Sequence, residues 1–330
     1  MGAAAALLLL LPPGAARASP SRSVRGFTRG GQPYVALRDL ASFYGCRLSY
    51  ADTTHILLTS AYLRLDFERD SRRMTLQNRQ IWLHYPVVKI GRTLALHRLD
   101  ADRTLDPLLR SHLYLRARPV RTIVLDPGHG GADSGAAGAR RVLEKLVVLD
   151  IAQRVKRQLA GSGLDVRLTR ADDTFLELNT RSLLATRWRA DAFISIHLNA
   201  APDRNAAGIE TYVLTSPGAP SSNGGGTPSA GASTYDANAR DAQSVILGFH
   251  LQRRMVEAAG AADRGLRRAR FAVLKNAPCP AALVECGYLS NRAEEGKFAT
   301  AEYRETLASG IARGIRDFVK AAQQAQLTAP

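Results

Sequence analysis

The fold of this chain is decided by the stretch Thr122-Ile-Val-Leu-Asp-Pro-Gly-His-Gly-Gly131 and by the run Glu144–Leu159 that follows it. The first stretch begins with apolar and β-branched residues, which predicts a buried strand that ends in a glycine-rich turn. In the second run, apolar residues recur at helical spacing and predict a helix with one buried face. These residues are Val148, Ile151, Ala152, Val155 and Leu159.

The same alternation of strands and helices continues towards the end of the chain. Strands are predicted at Thr122–Leu125, Asp165–Thr169, Ala192–Ile196, Glu210–Leu214 and Ala281–Glu285. Helices are predicted at Glu144–Leu159, Thr180–Arg189, Ala239–Ala259 and Glu302–Ala322. Such alternation predicts an α/β domain with a mostly parallel sheet flanked by helices, over residues 119–322. Residues 323–330 are predicted to be a flexible tail.

Residues 24–118 have a different pattern, with short alternating segments such as His55–Thr59 and polar turns between them. This spacing predicts a small β-rich domain. Within it, the segment Tyr34–Gly45 predicts one short helix that ends at glycine. Through Tyr34-Val-Ala-Leu-Arg-Asp-Leu40, this region weakly resembles the N-terminal-like domain of copper amine oxidases. The resemblance implies no copper site, and we expect the domain to tether or position the protein on the cell wall.

The first residues predict export. An apolar run, Ala3–Leu11, is followed by Ala16-Arg-Ala18, which has the small-residue pattern of a cleavage site. We therefore expect residues 1–18 to be a secretory signal peptide. The alternative is a wrongly assigned start of the chain, because no Lys or Arg precedes the apolar run. No stretch is long and apolar enough for a transmembrane anchor, so an integral membrane protein is not expected.

The net charge of +16 favours polyanionic surroundings, such as the anionic polymers of a cell envelope. Nucleic acid is not an expected partner, because no basic arm and no groove of alternating basic and aromatic residues is present. The densest basic group is predicted to be a solvated face. It comprises Arg264, Arg267, Arg268 and Arg270.

The three cysteines, Cys46, Cys279 and Cys286, do not form a disulfide framework. A strand predicted between Cys279 and Cys286 would separate their Cα atoms by roughly 20 Å, which is beyond the ~7 Å limit for a disulfide. We therefore predict free thiols. Cys286 should also point to the sheet face opposite Glu285, so it is not an expected metal ligand.

Four polar residues lie where this fold would form a site. His129, His197 and Glu285 are at the ends of predicted strands, and sites in open α/β sheets form at the carboxyl ends of strands. Glu144 begins the first long helix, and two His with one Glu leave a position for water, as in catalytic zinc sites. Each residue also has a structural interpretation, although a carboxylate at Glu285 is costly to bury without a partner.

The segment Thr122–Ala322 resembles the zinc-dependent N-acetylmuramoyl-L-alanine amidases, which remove the peptide from the glycan of peptidoglycan. The resemblance lies in the following motifs, in this order: Leu125-Asp-Pro-Gly-His-Gly-Gly131, Leu143-Glu-Lys145, Leu168-Thr-Arg170, Ile194-Ser-Ile-His-Leu-Asn-Ala200, Gly208-Ile-Glu-Thr-Tyr212 and Leu283-Val-Glu-Cys-Gly-Tyr-Leu-Ser-Asn291. It implies that His129, Glu144 and His197 bind Zn²⁺ and that Glu285 is the catalytic glutamate. The sequence departs from the family pattern at Cys286 and Tyr288, where aliphatic and Phe residues are common.

The resemblance also implies a reaction: zinc-activated water would cleave the amide bond between the lactyl group of N-acetylmuramic acid and L-alanine. Arg170, Arg181 and Asn199 are candidate substrate contacts, and a structural salt bridge is the alternative role for the two arginines. Peptidoglycan is the expected partner, and the periplasm or the cell wall and extracellular space the expected location. Two other functions stay open, a zinc peptidase on the same scaffold and a catalytically silent wall-binding protein.

The segment Ser216–Asp236 is rich in Ser, Gly, Pro and Ala and predicts a long loop. Some amidases of this family carry an inserted helix here, whose acidic residue covers the zinc. Within this segment no Asp or Glu precedes Asp236, so we expect no such cover and an enzyme that needs no activator. The alternative is that Asp241, in the next helix, covers the metal.

Overall fold

The structure is a computed structural model that describes residues 24–115, 118–222 and 234–327. The predicted signal peptide and residues 223–233 of the predicted loop lie outside these ranges. The described residues form two compact units. The first takes the chain up to Arg118 with residues 218–222 and 321–327, and the second takes Pro119–Pro217 and Thr234–Lys320. In the described ranges, no helix combines the length and the apolar character needed to cross a membrane.

The first unit is rich in β-structure, as predicted. One antiparallel sheet, in the order β1-β2-β9-β8, consists of β1 Gly26–Arg29, β2 Gln32–Ala36, β8 Val88–Ile90 and β9 Thr93–His97. An antiparallel meander consists of β3 Arg47–Tyr50, β4 His55–Thr59, β5 Arg64–Glu68, β6 Arg73–Leu76 and β7 Arg79–Trp82. Buried and accessible residues alternate along β4 and β5, as in a sheet with one covered face. The predicted short helix is α1, Leu37–Phe43.

The end of the first unit is helical, which the sequence did not predict. Helix α2, Arg98–Asp100, continues through the π-helical turn Ala101–Leu105 into α3, Asp106–Leu109. The buried carboxylate of Asp106 accepts hydrogen bonds from Arg110 Nε at 2.6 Å and from Tyr44 Oη at 2.9 Å. Helices this short depend on such tertiary contacts and leave no periodic pattern in the sequence.

The second unit contains a mixed sheet in the order β11-β10-β12-β15-β13-β14. Its strands are β10 Thr122–Pro127, β11 Asp165–Leu168, β12 Ala192–Asn199, β13 Ile209–Leu214, β14 Asp263–Ala269 and β15 Ala281–Tyr288. Neighbouring strands are parallel except for β13 and β15, which are antiparallel. The carboxyl ends of β10, β12 and β15 therefore share one edge with the amino end of β13.

Helices lie between and after these strands along the chain, and most begin and end near the predicted residues. They are α4 Glu144–Leu159, α5 Leu178–Arg187, α6 Asp241–Ala259, α7 Ala272–Lys275, α8 Arg292–Phe298 and α9 Ala301–Leu327. The buried residues of α4 include all five that the spacing predicted. The predicted tail is wrong for residues 323–327, because α9 continues to Leu327. This end of the chain is rich in Ala and Gln, which favour helix.

The prediction of a solvated face for the arginine-rich group is also wrong. Arg264, Arg267 and Arg268 lie in strand β14, which the sequence did not predict. Because side chains alternate along a strand, Arg267 and Arg268 point to opposite faces of the sheet. Arg268 is buried, and only 14% of the Arg267 side chain is exposed. The cysteine prediction is confirmed, since Cys46, Cys279 and Cys286 are free thiols and the last two are buried.

Two glycines allow helix α9 to approach α6 closely. A Cβ atom at Gly314 would lie 2.8 Å from Leu251 Cα and 3.0 Å from the His250 carbonyl oxygen. A Cβ atom at Gly310 would lie 2.8 Å from Met255 Cα. Because these neighbours are backbone atoms, they cannot move aside as the end of a flexible side chain can.

We predict that Gly314→Ala lowers the free energy of unfolding by about 1–3 kcal/mol through overpacking. In a solvent-exposed helix, the same change would raise the free energy of unfolding by ~1 kcal/mol, because alanine favours helix more than glycine does. Urea unfolding measures the difference, and Arg313→Ala at the neighbouring exposed position is the control. A stabilised Gly314→Ala variant would contradict the close packing of α9 on α6.

Candidate metal centre

Polar side chains line the sheet edge where three parallel strands end. His197 of β12 pairs in register with Glu285 of β15, which pairs with Glu210 of β13. The sequence predicted that β12 ends before His197 and that β15 ends at Glu285. Both strands instead continue, to Asn199 and Tyr288, so His197 and Glu285 lie within their strands. The three side chains therefore lie in one row on one face of the sheet.

His129, Glu144 and His197 converge at this edge, as the sequence predicted. Each offers a ligand atom, and these atoms all lie within 4.8 Å of one another. His129 Nε2 is 3.1 Å and His197 Nδ1 2.9 Å from the same Glu144 oxygen, Oε1. Among the described residues, this is the one group of three or more His, Cys, Asp or Glu side chains with metal-ligand proximity, and it excludes Cys286.

Backbone conformation makes room for this convergence. A Cβ atom at Gly128 would lie 2.2 Å from His197 Cε1, and one at Gly135 would lie 2.5 Å from Glu144 Oε2. His129 itself has a φ of 60°, in the left-handed region that residues other than glycine rarely adopt. The glycine-rich loop therefore brings the backbone next to the ligands and turns His129 towards them. The backbone strain at His129 is of the kind that functional sites commonly contain.

Glu144 is fixed by backbone donors as well as by the two imidazoles. Its Oε2 accepts a hydrogen bond from the Ala136 N–H at 2.8 Å, and its Oε1 accepts one from the Leu198 N–H at 3.0 Å. It is the first residue of α4, where the helix dipole favours an anion. Burial opposes ionisation, but the hydrogen bonds of His129 and His197 outweigh it and lower the pKa of Glu144. The carboxylate is thus ionised and ready to bind a cation.

Asp133 orients His129, a role that sequence reasoning missed. His129 Nδ1 is 2.8 Å from Asp133 Oδ2, while Asp133 Oδ1 accepts a hydrogen bond from the Gly135 N–H at 3.0 Å. A carboxylate on one imidazole nitrogen fixes the tautomer that leaves the other nitrogen for a metal. The sequence contains one signal for this role, which is an Asp four residues after the histidine of the glycine-rich loop.

Glu285 stands apart from this ligand group. Its Oε2 atom is inaccessible to solvent and has no hydrogen-bond partner among the described residues. Burial, followed by the negative charges of Glu144 and Glu210, raises the pKa of the Glu285 carboxyl well above its usual range. An unpaired, buried carboxyl oxygen beside a cation site is suited to accept and return a proton.

The two arginines that were candidate substrate contacts lie beneath the ligand loop. Arg181 Nη1 pairs with Asp126 Oδ1 at 2.9 Å, and its Nη2 donates to the His129 carbonyl at 2.9 Å. Arg170 Nη2 donates to the Gly128 carbonyl at 2.7 Å. Both arginines are 3% exposed, which favours the structural role over a contact with substrate. Their bonds hold the loop in its unusual conformation.

Asn199, the third candidate substrate contact, donates from Nδ2 to Glu210 Oε1 at 2.6 Å. Its side chain is therefore engaged with a buried carboxylate. Asp241, the alternative cover for a metal, is also engaged. Its Oδ2 accepts a hydrogen bond from Ser216 Oγ at 2.7 Å and its Oδ1 one from Asn238 Nδ2 at 3.0 Å. The prediction that the segment Ser216–Asp236 does not cover the metal stays a prediction, since residues 223–233 lie outside the described ranges.

The donor set fits zinc. Two imidazoles and one carboxylate are the protein ligands of a well-known class of catalytic zinc sites, which keep a further position for water. Hard cations such as Mg²⁺ and Ca²⁺ prefer sites built from oxygen ligands alone. The oriented His129, the ionised Glu144 and the nearby unpaired Glu285 together suit hydrolysis assisted by zinc.

Comparison with known proteins agrees with this geometry. The sequence profile of a family described as N-acetylmuramoyl-L-alanine amidase matches residues 123–317. N-acetylmuramoyl-L-alanine amidase AmiA of Escherichia coli K12 is 35% identical over 216 residues, which are 59% of this chain and 75% of AmiA. LytC of Bacillus subtilis, with the same enzyme name, is 36% identical over 199 residues, which are 60% of this chain and 36% of LytC.

A solved structure has the same fold. The catalytic domain of CwlV, an N-acetylmuramoyl-L-alanine amidase from Bacillus (Paenibacillus) polymyxa var. colistinus, superposes with a TM-score of 0.52 at 33% identity. The match covers 61% of this chain and 99% of the CwlV domain. The residues matched by the family, 123–317, include the candidate metal centre.

We predict that Asp133→Ala weakens zinc binding about 10–100-fold, because His129 loses the carboxylate that orients it. Competition with a chromogenic zinc chelator measures the affinity. Asp203→Ala is a matched control, since exposed Asp203 accepts a similar backbone bond, from Asn205 at 2.9 Å, but orients no imidazole. Equal affinities for the Asp133→Ala variant and the wild type would show that Asp133 does not support the ligand.

Proposed function

The chain belongs to the N-acetylmuramoyl-L-alanine amidase family, and on that premise we propose that it cleaves the amide bond between the lactyl group of N-acetylmuramic acid and L-alanine in peptidoglycan. One observation carries the proposal. The convergent group of His129, Glu144 and His197 lies at the same sheet edge as Glu285, whose buried Oε2 has no partner among the described residues. This arrangement suits amide hydrolysis assisted by zinc.

His129, Glu144 and His197 would hold the zinc ion. When bound there, zinc supplies a Lewis acid for the amide carbonyl and makes a bound water easier to deprotonate. The protein contributes the fixed geometry. Asp133 holds the tautomer of His129, and the backbone donors of Ala136 and Leu198 hold the Glu144 carboxylate. Because the donors are held before the metal arrives, little side-chain ordering remains at binding.

Glu285 would move the proton. Its Oε2 accepts a proton from the attacking water as the water oxygen bonds to the lactyl carbonyl carbon. The same carboxyl then donates that proton to the nitrogen of L-alanine as the carbon–nitrogen bond breaks. The products are a free carboxylate on the glycan and a peptide with a free amino terminus. The buried Oε2 suits this role, because no hydrogen bond from a described residue occupies it.

Two other functions have less support. A catalytically silent wall-binding protein would have no need for an unpaired, buried Glu285 next to three convergent ligands. A zinc peptidase on the same scaffold would use the same residues and differ in the bond that it cuts. The composition of the products separates it from the amidase.

The surroundings of the protein follow from its substrate. We propose that the protein is exported and acts on peptidoglycan in the periplasm or at the cell wall. The net charge of +16 would also attract anionic envelope polymers. The first unit would tether or position the enzyme on the wall.

We predict that Glu285→Gln retains zinc but loses about 10²–10⁴-fold in rate, because glutamine cannot carry the proton. His129→Ala and His197→Ala should lose both zinc and activity. Mass spectrometry of products from purified peptidoglycan measures the reaction, and Glu302→Gln at an exposed position is the control.

The amidase proposal expects released peptides that begin with L-alanine and sugars that are left intact. Products cut within the peptide would identify a peptidase instead. A Glu285→Gln variant as fast as the wild type would contradict the role of Glu285.

A further inference from the structure

Glu210 is a second buried glutamate beside the candidate catalytic one. It is 1% exposed and lies directly opposite Glu285 in the antiparallel pair of β13 and β15. Like charges in opposite positions of neighbouring strands destabilise a sheet. Burial of a charge is costly as well, unless it is paired. The fold nevertheless keeps the two glutamates side by side.

The two carboxylates differ sharply in their partners. Glu210 Oε1 accepts hydrogen bonds from Asn199 Nδ2 at 2.6 Å and from Tyr288 Oη at 2.9 Å. Glu210 Oε2 accepts one from Arg267 Nη1 at 2.8 Å. Glu285 Oε2, by contrast, has no hydrogen-bond partner among the described residues. Glu210 is therefore a fully engaged anion next to a carboxyl with an open oxygen.

The order of the strands places Glu210 between Glu285 and a cation. Strand β13, which carries Glu210, lies between β15 with Glu285 and β14 with Arg267. Arg267 pairs with Tyr212, two residues after Glu210, so its side chain lies on the face that carries both glutamates. Its guanidinium already spans one strand spacing, about 4.8 Å, to reach Glu210. Glu285 is the next carboxylate, one strand further.

We propose that Glu210 is a positioning residue for Glu285, which keeps the Arg267 guanidinium from hydrogen-bonding to Glu285 Oε2. This inference rests on the proposed function, in which Oε2 receives the proton. An arginine bonded to that oxygen would occupy the position at which the proton of the water arrives. By binding the Arg267 guanidinium itself, Glu210 thus leaves Glu285 Oε2 without a hydrogen bond from that arginine.

The second nearby arginine is held by other contacts. The Arg264 guanidinium lies 4.9 Å above the centre of the Tyr288 ring, and its Nη1 is 3.4 Å from the Ala207 carbonyl oxygen. Its Nε is 3.6 Å from Glu210 Oε2, too far for a good hydrogen bond. Arg267 Nη1 lies 2.8 Å from Glu210 Oε2 and 3.4 Å from Tyr212 Oη, so loss of the Glu210 charge removes the shorter of these two contacts.

Four variants test the proposal on purified peptidoglycan, with kcat, KM, zinc content and Tm measured for each. Glu210→Gln keeps an acceptor for Asn199 and Tyr288 but loses the charge that holds Arg267. We expect its kcat to fall at least about tenfold, within the range that a general base contributes, with KM and zinc content unchanged. The double variant Glu210→Gln/Arg267→Gln should regain most of the wild-type kcat, because no released guanidinium remains.

Tyr288→Phe is the matched control, since it removes one donor to Glu210 and leaves Arg267 in place. We expect its kcat to stay close to that of the wild type. If Glu210→Gln does not fold, Glu210→Ala replaces it in both the single and the double variant. A folded, zinc-loaded double variant that regains most of the kcat lost by its single variant supports the proposal, and a double variant that stays as slow overturns it.

A wild-type kcat for Glu210→Gln would likewise overturn the inference, as would a double variant no faster than the single one. Glu285→Gln, the fourth variant, separates this failure from failure of the proposed function. If Glu285→Gln is inactive while Glu210→Gln matches the wild type, the inference about Glu210 alone is wrong. If Glu285→Gln is fully active, the proposed function is wrong as well.

Discussion

Two imidazoles meet one carboxylate oxygen at the edge of the sheet, where Glu144 Oε1 lies 3.1 Å from His129 Nε2 and 2.9 Å from His197 Nδ1. Much of the second unit serves this contact. The loop that carries His129 bends back over Gly128 and Gly135, where a side chain would collide with the ligands. The buried arginines Arg170 and Arg181 hold the carbonyl groups of that loop. The candidate metal centre thus depends on the shape of the backbone as much as on its candidate ligands.

The sequence predicted the ligands because their positions follow from local pattern. His129, His197 and Glu285 are placed by strands whose apolar runs are visible in one sequence, and the helix of Glu144 has clear periodicity. The family resemblance then assigned their roles. Helices α2 and α3 were missed because they are short and depend on distant contacts, such as that of Tyr44 with Asp106.

What the sequence could not predict depends on how distant strands pair. Strand β13 runs against β15, and this direction brings Glu210 next to Glu285. No local pattern encodes it, because either direction buries the same apolar residues. The arginines of β14 were misread for the same reason. As an isolated basic group they resemble a solvated face, whereas in the sheet Arg268 is buried and Arg267 binds Glu210.

We propose that His129, Glu144 and His197 form a zinc centre of nitrogen and oxygen ligands. X-ray absorption at the zinc edge of the stoichiometrically loaded protein tests it most directly. We expect one zinc per chain, with two imidazoles bound to it and nitrogen or oxygen neighbours at about 2.0–2.2 Å. A sulfur neighbour at about 2.3 Å, which would require a cysteine ligand, or a spectrum without imidazole scattering would contradict it.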